Sequence, residues 1–272
     1  MKKTLCRALF LIIISCFIAI NGFSVFTTDT AKAVSSSSEI SALSKHTEPD
    51  VKDIEQQIND LIEQRKEEAE EQRLAEERLE SYDNLQKQLD EGIVTFRQLF
   101  SDTFIVGDSL MHGLSLYRII DSSNIISMVS ASLYHLQDNI ANIVANNPEK
   151  LVLHYGINML NCNEHGLNSF IAMYKEIIDT IQSELPDTEI YISGIFNVSP
   201  SVAQRFSWIS QYNERLIQMT SELGICYIDN SDLLPGDGSY YGTDGIHVTK
   251  AFYNDVWLPH LFLSINTRQE IL

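Results

Sequence analysis

Positive charge is what this chain has least of. Nineteen Lys and Arg stand against 37 Asp and Glu, a formal net charge of −18. Phosphate binding needs a basic surface, so nucleic acid is excluded as a partner. Adsorption of the protein body to an anionic membrane is disfavoured for the same reason. Cysteine is also scarce, with four in 272 residues. Cys6 and Cys16 lie in an N-terminal apolar segment. Cys162 and Cys226 could pair, although free buried thiols are the simpler reading. No C-x-x-C and no Cys/His ligand spacing is present, so no zinc site and no cofactor is expected. Gly and Pro are missing between Val51 and Leu89. Past the N-terminal segment no long apolar lid or interfacial helix stands out.

What is present divides the chain into four parts. Lys2, Lys3 and Arg7 precede an apolar stretch from Ala8 to Phe26, and Ala31-Lys32-Ala33 follows. This order reads as a signal peptide over 1–33, cut after Ala33, with the functional domain exported to the cell surface or beyond. The same stretch, 8–26, could instead remain as a membrane tether. Ile13-Ile14-Ser15-Cys16 resembles a lipobox, but the apolar run continues past it. Residues 34–50, opening Val34-Ser35-Ser36-Ser37-Ser38, form a flexible linker. Residues 51–90 are rich in Glu, Gln, Arg, Lys and Leu, which predicts one long helix. Val51, Ile54, Ile58, Leu61 and Ile62 make an apolar stripe, and Leu74, Leu79, Tyr82, Leu85 and Leu89 make a second. Glu63 to Arg73 offers only Ala69 between them, which interrupts any continuous coiled coil. The helix is either a stalk capable of self-association or a solvated helix whose last turns pack on the domain.

Residues 91–272 alternate apolar strands with amphipathic helices. Strands are expected at 103–106, 124–129, 151–154, 189–193 and 225–228. Helices are expected at 136–144, 167–184, 205–223 and 249–265. Such alternation predicts an α/β fold with a five-stranded parallel sheet between helical layers. Ligands bind at the carboxyl ends of strands in such sheets. Three polar segments fall there. Gly107-Asp108-Ser109-Leu110 follows the first strand, Gly156-Ile157-Asn158 the third, and Asp244-Gly245-Ile246-His247 precedes the last helix.

An isolated serine is a poor nucleophile and needs a base. Ser109, His247 and Asp244 supply a nucleophile, a base and a group to orient the base. Gly245 eases the turn that lets a carboxylate reach an imidazole three residues later. His112 is a rival base, but a short turn does not point it back at Ser109. His154 falls inside a strand and reads as structural, and His135 and His165 read as peripheral groups. Tyr134, Tyr240, Tyr241 and Trp208 are available to line a substrate pocket.

These three segments, in this order, resemble the SGNH hydrolases, also called the GDSL esterase/lipase family. The resemblance covers about Asp102 to the C-terminus. It implies a three-layer α/β/α, flavodoxin-like sandwich and metal-free ester hydrolysis through Ser109, Asp244 and His247. It assigns the oxyanion hole to the Ser109 backbone N–H, the Asn158 amide and a backbone N–H of the family's second block, with Gly107, Asp108 and Gly156 in support. The second block departs from the pattern. A glycine is expected after the second strand, and Met128-Val129-Ser130-Ala131-Ser132-Leu133 has none. Ser130 is the positional match. It still supplies an N–H, but a position that demands φ > 0 suits serine poorly. Met159 also follows Asn158 where the family commonly has aspartate.

The expectation is therefore an exported serine esterase that removes small acyl groups, acetyl above all, from carbohydrate or cell-wall glycan. Acyl transfer to a sugar hydroxyl and lysophospholipid or lipid hydrolysis use the same triad. A non-catalytic scaffold on the same fold is the rival of a different class, suggested by the missing second-block glycine and the long charged helix, and a structure with Ser109 far from His247 would favour it.

Overall fold

The computed structural model describes residues 51–266. The expected signal peptide, tether and linker lie outside the described residues. The chain divides into two units, residues 1–64 and 65–272. Helix α1, Val51–Asp90, spans that division as one uninterrupted element. In the first unit, Ile58, Leu61 and Ile62 are about half exposed. In the second, Leu74 and Leu79 are exposed and Leu85 is buried. The Tyr82 hydroxyl donates to the carbonyl of Asp255. The last turns of α1 therefore pack on the body of that unit. Among the described residues, no helix is long and apolar enough to cross a membrane.

A short helix α2, Phe96–Leu99, leads into strand β1, Thr103–Gly107. Four further strands follow: β2, Ile125–Ser127; β3, Lys150–His154; β4, Glu189–Ser193; and β5, Cys226–Ile228. All pair in parallel, in the order β2-β1-β3-β4-β5. β1 and β3 read as unbroken apolar runs because helices cover both sheet faces. One face packs α3, Ser109–Leu116, and the C-terminal elements α8, Lys250–Phe252, and α9, Leu258–Asn266, through Ile105, Leu110, Met111, Trp257 and Leu261. The other packs α4, Leu133–Asp138; α5, Ile140–Asn146; α6, Glu164–Glu184; and α7, Ile209–Leu223, through Val106, Leu153, Tyr174, Ile178 and Leu216. This is the expected three-layer α/β/α sandwich.

Several boundaries differ from the sequence expectation for local reasons. β2 stops at Ser127 because the chain turns at once, with Ala131 N–H donating to Met128 O at 3.2 Å. The helix expected at 136–144 is two, parted at Asn139, whose side chain donates to the carbonyl of His135 at 2.8 Å. The helix expected from 205 begins at Ile209, and 199–206 is loop and a 3₁₀ turn. Cys162 and Cys226 form no disulfide, and Cys162 is exposed rather than buried.

The strand order places the site. The chain runs outward from β1 to β2, then crosses back to β3 on the other side of β1. Ligands bind at such a reversal, beyond the carboxyl ends of the strands. Register sets Gly107 beside both Ser127 and His154. The residues that follow these three strands thus emerge at one edge.

Candidate active site

Ser109 is the first residue of α3, and Asp108 is its N-cap. The Asp108 carboxylate accepts the Leu110 N–H at 2.9 Å and is fully buried. Burial pushes its carboxyl up to about 7, against the opposing pull of that N–H and of His247. Its second oxygen has no hydrogen-bond partner among the described residues. Gly107 is required by space: a Cβ there would lie 2.3 Å from Met111 Cγ and 2.7 Å from His154 O. The tight exit from β1 leaves Ser109 half-buried, with its hydroxyl at the cleft.

Asp244 and His247 sit on a loop pinched shut at its base. Tyr241 and Val248 form an antiparallel bridge, Gly242 N–H donates to His247 O at 2.7 Å, and Thr249 N–H donates to Tyr240 O at 2.8 Å. Gly245 has φ +71°, a left-handed conformation, within the tight turn expected there. One Asp244 oxygen accepts the N–H groups of Ile246 and His247, each at 2.9 Å. The other lies 2.6 Å from His247 Nδ1. Burial alone would raise the Asp244 carboxyl, but the imidazole and the two N–H donors outweigh it and hold it at about 2. It is thus a fixed anion at neutral pH. His247 Nε2 lies 3.0 Å from Ser109 Oγ. Both contacts form together when Nδ1 carries the proton toward Asp244 and Ser109 Oγ–H donates to Nε2.

Asn158 lies on a 3₁₀ turn, Ile157–Met159, just past β3. Gly156 precedes it, packed against Ile195. The Asn158 amide donates to Ala131 O at 2.9 Å, tying the loop after β3 to the loop after β2. Ser130 has φ +59°. With the Ala131-to-Met128 hydrogen bond, this makes Ser130 the third residue of a type II-like turn, where glycine is favoured. The position does need φ > 0, and the serine adopts it.

Ser109, Ser130, Asn158 and His247 line one cleft of about 320 Å³, together with Val129, Ile157, Leu160, Arg205, Phe206 and Ile246. A wide separation of Ser109 and His247 would have favoured the scaffold alternative; they are in hydrogen-bond contact. The four histidines set aside above lie elsewhere. His112 Nδ1 is 3.4 Å from Ser127 Oγ, and His135 Nδ1 is 2.8 Å from the Tyr155 hydroxyl. His154 is fully buried on Ser193 Oγ at 3.2 Å, and burial brings its imidazole down to about 3. His165 is exposed. Tyr134, Tyr240, Tyr241 and Trp208 do not line the cleft; its aromatic wall is Phe206. Arg205 and Phe206 were missed because their segment reads as the start of a helix. Ser199-Pro200-Ser201, after β4, was the available sign of a loop at the sheet edge. Among the described residues, no group of three or more His, Cys, Asp or Glu side chains could hold a metal ion.

Residues 105–254 match the family model described as GDSL-like Lipase/Acylhydrolase family. The chain belongs to that family. It is accordingly an enzyme, a serine ester hydrolase. No curated protein matches it. Solved structures similar to it include a GDSL-like lipase from Bacteroides thetaiotaomicron, at 13% identity and TM-score 0.46, covering 69% of this chain and 97% of that one. An acetylxylan esterase from Geobacillus stearothermophilus is similar at 13% identity and TM-score 0.43, covering 60% of this chain and 90% of that one. For this GDSL-like acylhydrolase, the assignment rests on the family match.

Proposed function

We propose that this acylhydrolase removes small O-acyl groups, acetyl above all, from carbohydrate, with Ser109 as nucleophile, His247 as base and Asp244 as the group that orients the base. One observation carries the reading. An unbroken contact chain runs from Ser109 Oγ through both nitrogens of His247 to Asp244, and it opens on a cleft. His247 Nε2 takes the hydroxyl proton as Ser109 Oγ bonds to the acyl carbon. The carbonyl oxygen becomes an oxyanion, met by the N–H groups of Ser109 and Ser130 and the free amide hydrogen of Asn158. The tetrahedral adduct collapses, the bond to the alcohol oxygen breaks, and His247 returns the proton to that oxygen. Water, deprotonated by His247, then attacks the acyl-serine and releases the carboxylic acid and Ser109. Asp244, ionised throughout, holds the tautomer and stabilises the imidazolium.

The size of the cleft and its few apolar walls, Val129, Ile157, Leu160 and Ile246, favour a short acyl chain over a long one. The basic start, apolar run and Ala-x-Ala of residues 1–33 favour export, which puts wall glycan within reach. Acetate release from acetylated glycan is the test. The full-length protein should release acetate, and Ser109→Ala should reduce the rate by at least about a thousandfold. Equal rates for the two would overturn the assignment. Acetyl appearing on an added sugar acceptor instead of as free acetate would make the enzyme a transferase on the same triad. Faster cleavage of long-chain than of acetyl esters would make it a lipase.

A further inference from the structure

The cleft contains one cation among its described lining residues, Arg205. Its side chain is exposed and stacks over the adjacent Phe206 ring, with the guanidinium carbon 5.3 Å from the ring centroid. Among the described residues Arg205 forms no ion pair, as is also true of Arg118 and Arg215; what sets it apart is its place on the cleft. A chain of net charge −18 repels anions at long range, so a cation placed inside its cleft matters for any anion that reaches it.

The position of Arg205 says which end of the ester it meets. The segment carrying it leans on the turn that carries Asp244 and His247. Ser199 N–H donates to Gly245 O at 2.8 Å, and Arg205 N–H donates to Val202 O at 3.0 Å. A Cβ on Gly245 would meet Ser199, Ser201 and Val202 at 3.1–3.2 Å, so the two segments are in direct contact. His247 is the group that returns the proton to the departing alcohol oxygen. Val129, Ser130 and Asn158 also line the cleft, and the esterase reading gives the acyl oxygen to Ser130 and Asn158. Arg205 therefore borders the alcohol half of the ester.

The geometry points to Arg205 as a specificity-determining residue that binds an anionic group, carboxylate or phosphate, on the sugar that leaves. This rests on the esterase reading above and narrows it to acidic carbohydrate. A guanidinium offers a planar pair of donors that fits either anion, and stacking on Phe206 limits its freedom before the substrate arrives. Ordinary cation–aromatic packing accounts for the contact with Phe206. It does not account for an unpaired guanidinium at the mouth of the cleft.

Three O-acetylated sugars test it: a hexuronate glycoside, its neutral methyl ester, and a hexose phosphate. The readout is kcat/KM for acetate release by the full-length protein. The wild type should favour the better of the two anionic substrates over the neutral one by about tenfold at low salt, and the ratio should shrink toward 1 M salt. Arg205→Gln should bring the ratio close to one, Arg205→Glu should invert it, and Arg205→Lys should keep part of it. Circular dichroism checks that each variant is folded. The preferred anion identifies the group. A wild-type ratio near one, with the neutral ester cleaved, overturns the anion selection and leaves the esterase standing. A ratio unchanged in folded Arg205→Gln overturns the role of this residue. Cleavage of none of the three overturns both readings.

Discussion

Replacing Ser130 with glycine should make this protein more stable. The backbone at Ser130 has φ +59°, on an exposed turn closed by the Ala131-to-Met128 hydrogen bond. A non-glycine residue in that conformation costs roughly 1–2 kcal/mol, because its Cβ crowds the backbone carbonyl. Glycine removes that cost but adds freedom to the unfolded chain, which takes back about 0.5–1 kcal/mol. The serine side chain is exposed, so little packing is lost. The net expectation for Ser130→Gly is a gain of about 0.5–1 kcal/mol. For a domain of this size that is a rise in Tm of roughly 1–4 °C. Ser130→Val should move the other way by more than about 1 kcal/mol, since a β-branched residue tolerates the left-handed region worst. Urea unfolding of all three proteins, with a shared slope, gives both differences. A loss of stability in Ser130→Gly would show that the Ser130 side chain holds something that outweighs the strain. Neutrality in Ser130→Val would show that the turn is not held at φ > 0 in solution.

Three other perturbations separate the parts of the account. Asn158→Ala should lower kcat about a hundredfold to a thousandfold with a smaller change in KM, as loss of one oxyanion donor does; a purely structural amide would change unfolding and leave kcat in place. His154 is neutral when folded down to about pH 3, while an unfolded histidine takes a proton below about pH 6.5. The unfolded state binds more protons across that window, so His154 makes stability fall as pH drops, by up to about 1.4 kcal/mol per pH unit. Asp108, raised to about 7, opposes it: folded it keeps a proton that the unfolded chain releases above about pH 3.9, so its contribution falls as pH rises toward 7. His154→Asn, which can keep the bond to Ser193 Oγ, should gain about 2–3 kcal/mol on the wild type between pH 7 and pH 4.5, measured by urea unfolding at each pH. Parallel profiles for the two proteins would mean that His154 titrates normally. Gly245→Ala should destabilise the loop of Asp244 and His247 and lower the rate of acetate release, because an alanine at φ +71° is strained and its Cβ meets Ser199, Ser201 and Val202.

The sheet was legible because its physics is local. Strands β1, β3 and β4 are short apolar runs buried on both faces, and their sequence says so residue by residue. The convergence of the candidate site was legible because its segments follow a strand or precede a helix, so topology alone brings Ser109, Asn158 and His247 to one edge. The helix ends were harder. Asn139 parts α4 from α5, and neither side's composition announces the break. Arg205 and Phe206 read as the start of a helix, but they end a 3₁₀ turn, Ala203–Phe206, and the helix begins at Ile209. That error hid Arg205 and Phe206, whose place in the cleft depends on a contact between segments about forty residues apart. Met128 and Val129 look like the end of a strand, yet both are exposed, because the turn at Ser130 lifts them off the sheet. No glycine follows the second strand, and Ser130 stands in the turn just after it. Only coordinates could show that the serine there takes up the left-handed backbone itself.

Covalent labelling of Ser109 tests the central claim most directly. A fluorophosphonate, which reacts with a serine only when a base activates it, is incubated with the wild type and with His247→Ala, and the modified peptide is mapped by mass spectrometry. The account expects one label, on Ser109, that nearly vanishes in His247→Ala. A label on another residue, or equal labelling of Ser109 in both proteins, would contradict it.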